Sequence, residues 1–131
     1  MMPADCPELE RFARGEVDAR DFPHREHVRM AFEMLRRHDF PTTALHYSRA
    51  LRTMAANAGK PEAFNQTVTI AFLSLIAECM ERHQAADYGA LVRACPQLLD
   101  KGTLAHWYAP QRLASAAARR TFLLPDGSRE R

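Results

Sequence analysis

The chain has 131 residues, 47% hydrophobic and 26% charged, the make-up of one globular domain with room for a real core. Its formal net charge of +2 gives no ground for nucleic-acid binding, and its length and pattern hold no membrane span. Cys6, Cys79 and Cys95 are odd in number and far apart, which argues against a disulfide framework or zinc finger and for free thiols in a reducing compartment.

The N-terminal MMPADCPELERF lacks a basic region followed by an apolar one, so a cytoplasmic location is the default expectation. Eight prolines at segment starts, abundant alanine and few β-branched residues favour helices joined by short loops. Of the 18 basic residues only Lys60 and Lys101 are lysine. That bias suits anion binding, but codon composition in a GC-rich genome explains it together with the alanines.

Pro7 to Arg14 reads as a first helix, capped by Asp5 or Cys6 and stopped by Gly15. The second runs from His24 to about His38. Val28, Ala31, Phe32 and Leu35 form its apolar arc, with Met30 and Met34 at one margin. His24, His27 and His38 fall on that arc, away from the arginines. Pro41 to Ala58 is a third helix, with Tyr47, Ala50, Leu51 and Met54 inward and Gly59 as its stop.

The stretch AFNQTVTIAFLSLIA, residues 63–77, holds no charge, glycine or proline, and Pro61 stands just before it. Phe64, Val68, Phe72 and Ile76 recur every four residues, so a helix surrounded by other helices is expected, running to Arg82 or His83. Its polar head, Asn65 to Thr69, needs buried partners. Asp87 caps a shorter fifth helix, YGALVRAC. A last helix starts at Pro110 and reads QRLASAAARRTF, with residues 1–6 and 125–131 frayed. The fold class is therefore all-α: one domain of five to six helices around a buried central one.

His24 and His27 make an H-x-x-H pair on one helical face, and the helix N-terminus favours neutral rings. Two imidazoles are short of a metal shell, so no metal site is expected, although His24 and His27 are the candidates if there is one. If the head of the central helix packs beside them, His24, His27, Asn65, Gln66 and Thr69 line one polar hollow. The plainer alternative is a hydrogen-bond network that fixes helix register. Arg112, Ser115 and Arg119 share a stripe that could hold an anion, or Arg119 could pair with Asp126 or Glu78. Cys79, among apolar neighbours, reads as an inert thiol.

FPHREHVRMAFEMLR, FNQTVTIAFLSLIAE and WYAPQRLASAAARRTFLLPD together resemble a family of small bacterial helical proteins of no assigned activity. The resemblance covers residues 22–38, 63–78 and 107–126. His24, His27, Ser115, Arg119 and Asp126 match its pattern. Asn65 and Gln66 stand where that family tends to have His and Glu, so a metal shell built on those positions loses two ligands here. The leading functional expectation is a helical domain that binds a small molecule, with ligand-binding candidates His24, His27, Asn65, Gln66, Thr69 and Arg119. The alternative is a non-catalytic interaction module, as a homo-oligomer or accessory subunit. The cofactor, and whether the chain is an enzyme, are left open; neither nucleic acid nor membrane is expected as a partner.

Overall fold

Short polar side chains open four of the helices. Asp39, Asn65, Asp87 and Ser115 each accept the backbone N–H three residues on, from Thr42, Val68, Ala90 and Ala118, which satisfies a donor that the helix itself cannot. The computed structural model describes residues 6–126. Along them run α1 (Pro7–Ala13), α2 (His24–Arg37), α3 (Phe40–Asn57), α4 (Gln66–His83), α5 (Tyr88–Ala94), α6 (Pro110–Leu113) and α7 (Ala116–Arg120). Single 3-10 turns at Ala19–Asp21, Pro61–Ala63, Pro96–Leu99 and Thr103–His106 join them, and no strand occurs among the described residues. The fold is all-α.

Two helix starts differ from expectation. Pro61 opens only a 3-10 turn; Phe64 and Asn65 are extended, and α4 begins behind the Asn65 cap. The expected last helix is cut in two, because Ser115 leaves the helical conformation to cap α7. One side chain also moves out. His38 has extended backbone at the end of α2 and is exposed, with its ring 6.2 Å from that of His46, so it is not on the buried arc.

The main core joins α1 through α5. Phe12 from α1, Val28, Met30, Ala31 and Phe32 from α2, and Leu73 and Cys79 from α4 are all fully buried. Met30 and Met34, read as marginal, are buried too, because α2 is packed by α1, α3, α4 and the Pro96–Leu99 turn together. The central helix α4 touches α2, α3, α5, α7 and two 3-10 turns, and only Ser74, Glu78 and its C-terminal end, Glu81 to His83, stay exposed. A smaller cluster of Phe72, Leu104 and Tyr108 seals the underside of α4.

The expected fraying at residues 1–6 and 125–131 lies mostly outside the described residues, as does Asp5. Within them, Cys6 is buried. The Asp126 N–H donates to the Trp107 carbonyl, and its Oδ2 accepts from the Ala109 N–H.

Candidate functional site

The head of α4 carries Asn65, Gln66, Thr67 and Thr69 because a cap and three short polar side chains suit a helix start. Each finds a partner. Asn65 Oδ1 caps Val68, while its Nδ2 donates to the Leu113 carbonyl at 2.7 Å. Thr69 Oγ1 turns back to the Asn65 carbonyl at 2.7 Å. Thr67 Oγ1 donates to the Thr121 carbonyl at 2.6 Å and accepts from the Leu123 N–H at 3.0 Å. Much of the polarity of this end therefore anchors the C-terminal segment to the central helix.

Gln66 goes elsewhere. Its Nε2 donates to Ser48 Oγ and its Oε1 accepts from Arg52, both on α3. Arg119 is exposed on α7 and donates to the Ala114 carbonyl at 3.1 Å. Arg112 directs Nε and Nη2 at the Leu124 carbonyl, so the Arg112–Ser115–Arg119 stripe spends its donors on the backbone.

The two histidines part company. His24 Nε2 donates to the Leu98 carbonyl at 2.9 Å, and its ring meets Phe72 edge-on with centroids 4.9 Å apart. His27, whose ring lies 6.5 Å from that of His24 and 5.1 Å from that of Phe22, stands over a hollow between α3 and the head of α4. The hollow measures about 350 Å³. His27, Asn65 and Thr69 all line it, together with Phe22, Met54 and Phe64. Three of the expected residues thus share one space, while His24, Gln66 and Arg119 are not part of its wall.

Burial, then the neighbouring His24, pulls the His27 pKa down to about 4. His24 is lowered too, chiefly by burial, against the Leu98 hydrogen bond that raises it. Both rings are neutral at pH 7. The nearby Phe22 backbone raises the His27 pKa against that burial, and a neutral imidazole keeps one acceptor nitrogen. His24 has its Nε2 committed to Leu98, and among the described residues no group of three or more His, Cys, Asp or Glu side chains stands where it could hold a metal ion. Burial raises the Cys79 thiol to about 12, helped by a hydrogen bond with Cys95, so it stays protonated and is a poor nucleophile.

Lys60 on the rim and the aromatic wall Phe22 are what the sequence did not single out, and Phe64, read there as part of the apolar stripe of the central helix, lines the hollow instead. The only local signal of Phe22 and Lys60 is their place next to Pro23 and Pro61, in the connectors. No helix among the described residues is long and apolar enough to cross a membrane. Comparison with family models, curated proteins and solved structures finds no match to this chain.

Proposed function

We propose that this protein binds a small molecule with an apolar body and one hydrogen-bonding group, held in the hollow under His27. The observation that carries the reading is the hollow itself. Its volume, about 350 Å³, lies in the range of known ligand pockets, about 300–1,000 Å³. A largely apolar wall with one neutral imidazole is the usual economy of such sites, in which few polar groups fix orientation. His27 would accept a hydrogen bond from a ligand hydroxyl or amide, and Lys60 on the rim would favour a carboxylate at the mouth. Three buried free thiols, Cys6, Cys79 and Cys95, support a reducing and hence cytoplasmic setting. The resemblance of three stretches to small bacterial helical proteins supports a bacterial origin.

Native mass spectrometry of the protein purified without denaturant tests the reading. Wild type should carry an adduct that denaturation releases. Met54→Trp, which fills the hollow, should lose it while keeping the helical circular dichroism spectrum. His27→Leu should also lose it and still fold at neutral pH, since the imidazole is already uncharged there. An adduct unaffected by both substitutions would overturn the assignment of the site.

A second reading, a module that pairs with another copy or another protein, draws on Leu124, 69% exposed, and Phe122, 40% exposed, on one short segment. Light scattering across a range of protein concentrations separates the two: a constant monomer mass removes the homo-oligomer.

A further inference from the structure

On another stretch of α4, away from His27, a second hollow of about 240 Å³ opens beside Trp107. At about 30 Å³ per water, it has room for roughly eight waters. Trp107, Tyr108 and Phe122 supply aromatic surface, Leu75 and Leu104 supply apolar floor, and Glu78 supplies a carboxylate. Trp107 is 44% exposed and Phe122 40%, whereas most other large apolar side chains of this size are covered. Tyr108 is only 3% exposed and its Oη already donates to the Leu123 carbonyl at 2.8 Å, so it forms the base of the hollow and the open aromatic surface is that of Trp107 and Phe122.

Glu78 is the one Asp, Glu, His, Lys or Arg in the lining. Its ion pair is with Arg82, at 3.9 Å, with both side chains well exposed. Such a pair is worth little and yields readily. Arg82 does not itself line the hollow.

We propose that this hollow binds a small organic cation, of the quaternary ammonium or methylated amine class. Aromatic faces attract a cation through their quadrupole, Trp most strongly, and aromatic side chains are what recognise quaternary ammonium groups, while a carboxylate beside them adds an opposite charge. The other ligand chemistries fit less well. An anion meets Glu78 of its own sign. A hard divalent ion needs several oxygen ligands, and one carboxylate among rings does not supply them. A neutral apolar body leaves the Glu78 charge partly desolvated with nothing in return. A methylated ammonium satisfies both the rings and the carboxylate.

Trp107 is the only tryptophan of the chain, so its fluorescence reports on this hollow alone. The test titrates the protein with choline chloride at constant ionic strength. The control is 3,3-dimethylbutanol, the same shape with carbon in place of the charged nitrogen. We expect a saturable change in Trp107 emission with a Kd of about a millimolar, and binding at least about fivefold weaker for the neutral alcohol. Glu78→Gln, at an exposed position, should weaken choline about fivefold without altering thermal unfolding, and Phe122→Ala should weaken it similarly. His27→Leu should leave the titration unchanged, which keeps this site separate from the one proposed above. Saturation transfer to the choline methyl protons supplies a readout that does not depend on Trp107. An absent saturable response in both measurements overturns the proposal. So does equal binding of the alcohol, an unchanged Kd in Glu78→Gln, or a dimer that buries Trp107 and competes with choline.

Discussion

Thr67 has no exposed surface, yet its hydroxyl serves two partners 54 and 56 residues further along the chain. A hydroxyl can do this because it donates once and still accepts. Thr67→Val keeps the shape and strands both the Thr121 carbonyl and the Leu123 N–H. The loss should be about 1–3 kcal/mol in urea denaturation, at the lower end if water reaches Thr121. Faster amide exchange at Leu123 would mark the loosened C-terminal segment, and Thr67→Ser should restore both. A Val variant as stable as wild type would show that the anchor is dispensable. That these polar groups need partners was legible from a charge-free stretch dotted with threonines. Which partners was not. Polar side chains on two buried arcs were expected to meet each other, but unpaired backbone carbonyls at Leu98, Leu113 and Thr121 took His24, Asn65 and Thr67 instead. The ends of short helical turns leave many such acceptors, and they compete with side chains for every buried donor.

At the scale of the element, glycine marks two helix ends that the sequence made plain. Gly15 follows α1 and Gly59 follows α3, at φ +72° and +76°. In both, the glycine N–H and the next N–H fold back onto the last turn: Gly15 to Phe12 and Glu16 to Arg11, Gly59 to Ala56 and Lys60 to Ala55. Those are Schellman closures, and φ in this region favours glycine. The two differ in surroundings. A Cβ on Gly15 would come within 2.4 Å of Thr53 Cγ2, whereas one on Gly59 meets nothing within 4 Å. Gly59→Ala should therefore cost about 1–2 kcal/mol from backbone strain alone. Gly15→Ala should cost about 1–3 kcal/mol more, because α1 must move off α3. Thermal denaturation of the two variants measures the difference, and equal losses would mean that the Thr53 contact relaxes freely. Other ends were harder to read. Pro61 and Asn65 are both good helix openers four residues apart, and propensity alone does not rank a proline start against an asparagine cap. The break at Ser115 hides in an alanine-rich run whose local preference is all helix, and the cap prevails because Asn65 and Thr67 hold the segment's carbonyls in place.

For the whole molecule, the deepest consequence of this packing is that a titratable ring sits inside it. The unfolded value of His27 is near 6.5, and burial lowers it to about 4 in the fold. Between these values the unfolded chain binds more protons than the folded one, so stability is full above about pH 6.5 and declines as the pH falls toward 4. At about 1.4 kcal/mol per unit, the decline is at most about 3 kcal/mol. His24, lowered in the same direction, adds to it. The carboxylates act in a separate window. Asp39 and Glu8 are lowered by hydrogen bonds, so their stabilisation is present above the usual carboxylate values and is lost only below them. The urea midpoint should thus fall between about pH 6.5 and about pH 4.5, before the carboxylates titrate. His27→Leu should flatten most of that slope while leaving the acid limb below it. An unchanged slope would locate the proton uptake elsewhere. The same protonation bears on binding, because a charged His27 no longer has an acceptor nitrogen and must pull water into the hollow. If the hollow is the binding site, loss of the adduct on acidification should track the wild-type stability slope. Release at a pH where the slope is still flat would separate the histidine that the fold buries from the group that the ligand needs.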